Sequence, residues 1–119
     1  VQLMRQAARI AINRTVAGVH FPVDSAAGQL LGLTLADFFI ARATGGSYTS
    51  WKFDGRNYPD DQDFFGTEMF NIATCTRREP PGQPPNQKYA EEANQATIAS
   101  KAHLLAWLWD RAAEEWTVP

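Results

Sequence analysis

Residues 26–43 are apolar on nearly every side of a helix, and this stretch limits what the chain can fold into. Asp24 or Ser25 offers a side chain for the N-cap, so we expect a helix over residues 26–43. A helix that is apolar all round needs neighbours all round. Gly28 and Gly32, four residues apart, would let another helix approach closely. The sequence therefore predicts a helix buried in a larger helical core.

The same stretch does not favour a membrane span. Its richest apolar part, residues 25–36, ends where Asp37 interrupts it, whereas crossing a bilayer takes about 20 apolar residues. A span stays open as an alternative only if Asp37 faces protein, because a carboxylate inside a membrane is costly. We therefore favour a buried core helix over a membrane-spanning one, and a membrane is not expected as a partner.

An amphipathic helix is predicted before this stretch, over residues 2–18, because apolar residues recur there every three or four positions. Gly18 permits the backbone conformation that ends a helix, and Pro22 cannot continue one. Residues 19–23 are therefore expected to form a tight turn, which contains His20.

The composition is that of a single domain that does not bind nucleic acid. The chain has 119 residues, of which 45% are apolar, so it has enough material for a core. The formal net charge is −2 and no block of Lys or Arg occurs, which argues against nucleic acid as a partner. Cys75 is the single cysteine, so an internal disulfide is excluded.

Residues 45–87 differ from the rest of the chain because turn and breaker signals follow one another at short intervals. Their many aromatic residues indicate ordered loops that wrap over a helical core, with a short helix near residues 63–73. A broad apolar face predicts a last helix from residue 88 or 89 to residue 116. No alternation is long enough to indicate a sheet. The predicted fold class is all-α, a helical bundle fragment with long ordered loops between the second and last long helices.

Arg14, His20 and Asp24 bring a cation, an imidazole and a carboxylate to the corner between the first two helices. A guanidinium binds a tetrahedral oxyanion through several N–H donors, an imidazole can attack or hold the central atom, and a carboxylate can fix the imidazole tautomer. Singly, the three would be a solvated helix residue, a turn histidine and an N-cap. Asp24 can serve in both ways, because capping uses one carboxylate oxygen and leaves the other for the imidazole.

The spacing of these residues resembles the third signature motif of the type 2 phosphatidic acid phosphatase and vanadium-dependent haloperoxidase superfamily. In that motif Ser-Arg, five residues, His, three residues and Asp follow one another, as do Arg14, His20 and Asp24 here. Residues 16–24 also resemble the family's helix, glycine-containing turn and His-aromatic-Pro corner. Asn13 stands in place of the usual serine, and its amide can still donate and accept hydrogen bonds.

The resemblance implies a role for each residue. His20 would be the nucleophile that takes up the phosphoryl group, or the ligand of vanadate in the haloperoxidase branch. Arg14 would bind the equatorial oxygens, and Asp24 would hydrogen-bond the distal imidazole nitrogen and stabilise the cation that develops. The expected function is that of an acid-phosphatase-like phosphoric monoester hydrolase without a cofactor, or of a haloperoxidase with vanadate; no other metal is expected.

The family's other two motifs, a lysine followed by Arg-Pro and the sequence Pro-Ser-Gly-His, should lie upstream, and neither occurs in this chain. Val1 is not an initiator methionine. We therefore expect residues 1–119 to be the C-terminal part of a single phosphatase/haloperoxidase-like helical domain, with residues 45–87 as a loop-rich segment within it. Its partners would be the missing N-terminal half and a phosphate- or vanadate-like oxyanion. The isolated chain should be inactive.

A non-catalytic helical interaction or oligomerisation domain is the alternative. A homo-oligomer that buries the second helix between subunits would favour it. Trp107 and Trp109 cannot share one helix face, so one of them should meet a loop, a missing segment or another chain. His103, with no carboxylate four residues away, is interpreted as a surface or core-edge residue.

Overall fold

Two helices precede a group of short strands, and a third helix follows them, in the computed structural model, which describes residues 2–71 and 73–117. Within these residues the elements are α1 (Gln2–Val16), α2 (Pro22–Thr44), β1 (Ser47–Phe53), a 3-10 turn (Gly55–Asn57), β2 (Phe70–Asn71), β3 (Thr76–Arg77), β4 (Ala90–Thr97) and α3 (His103–Glu115). The protein therefore has a mixed helix-and-strand fold, and the all-α prediction is wrong.

The larger sheet is an antiparallel pair of β1 and β4 in which Ser47 lies opposite Thr97 and Phe53 lies opposite Ala90. Strand β1 is rich in aromatic and hydroxyl residues that favour extended backbone, whereas β4 is composed of Ala, Glu, Asn, Gln and Thr. The predicted last helix is therefore wrong over residues 90–97. Pairing with β1 overrides the helical tendency of these residues, and the helix begins only at His103.

The helix predicted near residues 63–73 is also wrong. Its described residues form turns followed by strand β2, which pairs with β3 through Phe70 opposite Arg77 and Asn71 opposite Thr76. The carbonyl of Phe65 accepts a hydrogen bond from the backbone N–H of Glu68, three residues on, and the chain then turns away. A single turn of this kind does not propagate because helix nucleation is costly.

The core lies between α2 and the loops that follow it. Helix α2 contributes Ala26 and Leu30, and the later chain contributes Tyr58, Phe64, Met69, Tyr89 and Ala90. The Tyr58 and Tyr89 rings meet edge to face with centroids 4.9 Å apart, an arrangement that aromatic pairs prefer. Tyr58 and Phe64 of the loop segment therefore pack against one helix, α2, whereas the segment was expected to wrap over a core made of helices.

Helix α2 begins earlier than predicted. Phe21 occupies the N-cap position and Pro22 the first helical turn, where a missing N–H and a fixed φ cost nothing. Neither Asp24 nor Ser25 is the N-cap residue. The helix ends at Gly45, whose φ of 79° allows its N–H to reach the carbonyl of Ala41 at 2.8 Å.

One side of α2 is not covered by the described residues. Leu30 is 4% exposed, but Leu31 is 62% exposed and Phe39 is 52% exposed. A Cβ added at Gly28 or Gly32 would meet nothing within 4 Å, so no helix of the described chain packs against them. Helix α2 also has the length and apolar composition that a membrane span requires, which by itself is weak evidence for one.

Helix α3 is attached to the C-terminal end of α2. The backbone N–H of Ala102 donates to the carbonyl of Arg42 at 2.9 Å. Trp107 and Trp109 are 57% and 44% exposed, so the partner expected for one of them stays a prediction.

Candidate oxyanion site

The corner between α1 and α2 has the tight turn that Gly18 and Pro22 predict. Gly18 has a φ of 72°, which glycine adopts without the steric cost of a Cβ. Its N–H donates to the carbonyl of Thr15 at 2.9 Å, and the N–H of Val19 donates to the carbonyl of Arg14 at 3.1 Å. This helix end turns the chain back so that His20 faces the last turn of α1.

Arg14 and His20 are in direct contact. Nη2 of Arg14 lies 2.6 Å from Nε2 of His20. A guanidinium can only donate hydrogen bonds, so Nε2 must be the acceptor and carry no proton. We therefore assign the neutral imidazole to the tautomer with its proton on Nδ1.

Asp24 lies on the other side of the same imidazole. Its Oδ2 is 3.6 Å from Nδ1 of His20, and the two side chains are 53% and 40% exposed. The same Oδ2 accepts a hydrogen bond from the backbone N–H of Phe21 at 3.2 Å. Both contacts therefore use one oxygen, where we expected capping and imidazole contact to use different ones.

A cleft of about 290 Å3 opens beside the three residues. Its other walls are mainly apolar, formed by Ala7, Ile10, Ala11, Gly28 and Phe64. Among the residues that line it, Arg14 is the only cation and Asp24 the only carboxylate. Arg14 therefore supplies the single fixed positive charge for an anion in this cleft. The apolar walls offer an anion few other polar groups.

Ser25 and Gln29 also line the cleft, and sequence reasoning did not single them out as site residues. Helical spacing could have indicated them. Ser25 and Gln29 are four positions apart, as are Asp24 and Gly28, and residues at this spacing share one side of a helix. Asn13, in place of the family's serine, is exposed and does not line the cleft. His103 is exposed at the start of α3 and lies outside this site.

A second cavity, of about 460 Å3, lies beneath the proline-rich turn. On its wall the Tyr89 hydroxyl donates to Oε2 of Glu68 at 2.8 Å, and Nε2 of Gln62 donates to Oε1 of the same carboxylate at 2.7 Å. Burial, together with the negative charge of Glu68, raises the pKa of Tyr89 well above its ordinary value. Burial likewise raises the pKa of Tyr58 to about 12.

The described residues contain no group of three or more His, Cys, Asp or Glu side chains that could hold a metal ion. No protein-family model, curated protein or solved structure matches the chain. The geometry of the corner is therefore the main basis for a functional argument.

Proposed function

We propose that the chain carries the nucleophile and one anion-binding group of a phosphoric monoester hydrolase, or of a vanadate-dependent haloperoxidase, in the type 2 phosphatidic acid phosphatase superfamily. The observation that carries the proposal is the placement of different groups at the two imidazole nitrogens. Arg14 contacts Nε2 of His20 at 2.6 Å, and Asp24 lies 3.6 Å from Nδ1. A histidine nucleophile uses one ring nitrogen to attack and has a carboxylate near the other, and Asp24 beside Nδ1 supports that role.

In the proposed reaction Nε2 attacks phosphorus in line with the leaving oxygen. Arg14 must first leave Nε2, because its contact occupies the lone pair that would attack. The guanidinium then binds the equatorial oxygens, where charge accumulates. Asp24 stabilises the imidazolium that forms, and the proton on Nδ1 of His20 stays on the imidazole.

The bonds and protons balance in two steps. In the first, the N–P bond forms as the ester P–O bond breaks, and the leaving oxygen takes a proton from a general acid. The resemblance assigns that acid to a histidine of the family's second motif, which this chain does not contain. In the second step water cleaves the N–P bond and gives a proton to the group that acted as the acid, which releases inorganic phosphate and restores both that acid and His20.

The same residues fit vanadate, a tetrahedral oxyanion whose metal accepts an imidazole nitrogen. Nε2 of His20 would hold it, and Arg14 would bind its oxygens. In the haloperoxidase branch the bound vanadate would supply the centre at which peroxide, as the co-substrate, oxidises halide. Phosphatase and haloperoxidase thus share one donor set in this chain.

The site is incomplete without a partner, which we propose to be the N-terminal half of the same domain. One cation lines the cleft, whereas a phosphate dianion in phosphoryl-transfer sites is met by several positive groups. The uncovered side of α2, with Leu31 and Phe39 more than half exposed, supports the need for further packing. The isolated chain is accordingly expected to bind the anion weakly and to turn over no substrate.

Titration with vanadate, followed by 51V NMR, tests the proposal. One guanidinium and one imidazole, at about 1.5–3 kcal/mol each, support a dissociation constant of about 1 mM. His20→Ala and Arg14→Gln should each weaken binding at least about tenfold, whereas the matched variants His103→Ala and Arg9→Gln should not. Equal binding by the wild type and His20→Ala would overturn the proposal. Hydrolysis of an aryl phosphate by the chain alone would contradict the proposal that the site is incomplete.

A non-catalytic interaction or oligomerisation domain is the second candidate, and the exposed apolar side chains of α2 and α3 favour it. Leu104 and Trp107 of α3 are 70% and 57% exposed, and large apolar side chains that are exposed together are typical of interaction surfaces. A discrete oligomer that buries α2, together with no affinity for vanadate, would support this candidate over the enzyme.

A further inference from the structure

Helix α1 carries Arg14 but is attached to the rest of the molecule by few side chains. None of its residues is buried, and Ala11 is its member that packs against the core cluster. The position of Arg14 relative to His20 therefore depends on whatever fixes α1 against α2. The tight turn fixes the C-terminal end of α1, where Arg14 lies, but the angle at which α1 meets α2 depends on contacts nearer its N-terminal end.

The loop around Gly66 lies between the two helices and contacts both. A Cβ placed at Gly66 would lie 2.7 Å from the Cβ of Ala8, which is closer than real Cβ atoms approach. From α2, Nε2 of Gln29 donates to the carbonyl of Gly66 at 2.6 Å. Contacts thus run from Ala8 of α1 through Gly66 of the loop to Gln29 of α2. Ala8 lies six residues before Arg14, and Gln29 lines the cleft beside it.

Gln29 is well defined in this set of contacts. Its Nε2 must face the Gly66 carbonyl because that partner only accepts hydrogen bonds, which fixes the orientation of the amide. Its Oε1 is buried and has no hydrogen-bond partner among the described residues. The amide is therefore held by one hydrogen bond, and that bond connects α2 to the loop against α1.

We propose that Gln29 and Gly66 are positioning residues that set the distance between α1 and α2 at which Arg14 reaches His20. The absence of a side chain at Gly66 allows the close approach, and the Gln29 hydrogen bond holds the loop in place. The predicted change in the His20 tautomer follows from the geometry alone. The predicted change in anion affinity rests on the proposed function.

The His20 tautomer reports the contact directly, because the hydrogen bond at one ring nitrogen sets which nitrogen is protonated. The chain contains two histidines, so 15N signals of the labelled side chains are easily assigned with His103→Gln. In alkaline buffer without oxyanion, the wild type should show the tautomer protonated on Nδ1. Arg14→Met removes the donor and supplies the reference spectrum for a lost contact.

Gly66→Ala should move the spectrum toward that of Arg14→Met. The new Cβ must move from 2.7 Å to an ordinary carbon contact of roughly 3.5–4.0 Å, which displaces α1 by about 1 Å. Ala8→Gly removes the atom that it would meet, so the double variant Ala8→Gly/Gly66→Ala should recover the wild-type spectrum. Gln29→Met, which lacks the donor but keeps the length, should shift the spectrum without adding bulk.

Gly32→Ala is the matched control, since a Cβ there meets nothing within 4 Å, and it should leave the tautomer unchanged. Circular dichroism checks that each variant is folded. If Gly66→Ala does not fold, Gln29→Met still decides: a wild-type tautomer in the folded variant overturns the proposal. Failure of the double variant to recover the spectrum, with the chain folded, also overturns it.

Vanadate titration of the same variants separates this proposal from the proposed function. Gly66→Ala and Gln29→Met should bind about tenfold more weakly, the effect of weakening one charge-assisted hydrogen bond. If the wild type does not bind vanadate but the tautomers change as expected, only the proposed function fails. If the wild type binds vanadate and Gly66→Ala and Gln29→Met bind it equally well with unchanged tautomers, only the positioning proposal fails.

Discussion

Asp37 of the apolar helix α2 forms an ion pair with Arg77 of the short strand β3. The Arg77 guanidinium also donates to Oγ1 of Thr34 and to the carbonyl of Thr49, each at 3.2 Å, and lies 5.3 Å from the centre of the Trp51 ring. Its side chain is only 10% exposed. The carboxylate in the middle of α2 is therefore paired with a nearly buried guanidinium, and through Arg77 it connects the helix to both small sheets.

Asp37→Ala should lower the free energy of unfolding by about 1–3 kcal/mol. The change leaves the nearly buried Arg77 without its anion, and the loss is smaller than for a fully buried pair because Asp37 is 41% exposed. Urea unfolding measures the change. Asp110→Ala, at an exposed position of α3, is the control and should change stability by less than about 0.5 kcal/mol. Equal midpoints for the two variants would contradict this role of the pair.

The two contacts of Asp24 can be separated by two substitutions. Asp24→Asn keeps an oxygen that can accept the N–H of Phe21, so stability should change little, but it removes the charge beside His20. Vanadate affinity should fall about two- to fivefold, as expected for an exposed pair worth up to about 1 kcal/mol. Asp24→Ala removes both contacts and should also cost about 1 kcal/mol of stability. Urea unfolding and vanadate titration measure the two effects; equal stability of the two variants would rule out the capping contribution.

The corner between α1 and α2 could be predicted from sequence because its determinants are local. Gly18 ends one helix, Pro22 begins the next, and their spacing puts His20 in the turn. The exact start of α2 was missed because Asp24 looks like an N-cap residue, whereas it accepts the Phe21 N–H from the first turn of the helix. The enzymatic role of the three site residues stays a prediction.

The strands could not be predicted because their determinants are distant in sequence. Glu91 lies opposite Lys52 in the sheet, with Nζ and Oε1 3.0 Å apart, and this partner is invisible to a local pattern. The local sequence of residues 90–97 favours a helix, but their hydrogen bonds to β1 make them a strand. Gly66 was likewise missed, because its importance comes from Ala8 and Gln29 and not from its own neighbours in the chain.

Stability should decrease in strongly alkaline solution because of Tyr58 and Tyr89. Burial raises the pKa of Tyr58 to about 12 and that of Tyr89 further, whereas an unfolded tyrosine has a pKa of about 10. The folded chain thus keeps protons that the unfolded chain releases. Their contribution is fully present below pH about 10 and is lost as the pH rises through the folded values. Urea midpoints at a series of pH values measure this decline.

Tyr58→Phe and Tyr89→Phe should each make the alkaline decline shallower, because phenylalanine has no proton to lose. The slopes against pH are compared, not the absolute stabilities, since Tyr89→Phe also removes the hydrogen bond to Glu68. An unchanged slope in the double variant would show that other groups cause the decline.

The uncovered side of α2 should make the 119-residue chain associate without a fixed stoichiometry if its partner is the rest of the domain. Leu31 is 62% exposed there and Leu35 is 45% exposed. A surface that is complementary to another segment is not expected to be complementary to a second copy of itself. In sedimentation velocity the average mass should rise continuously with concentration, and Leu31→Gln/Leu35→Gln should remain monomeric with an unchanged urea midpoint. Leu30→Gln, at a position that is 4% exposed, is the control and should instead destabilise the fold. A discrete dimer in the wild type, abolished by the double variant, would argue that α2 is a subunit interface and would favour the oligomerisation domain over the enzyme fragment.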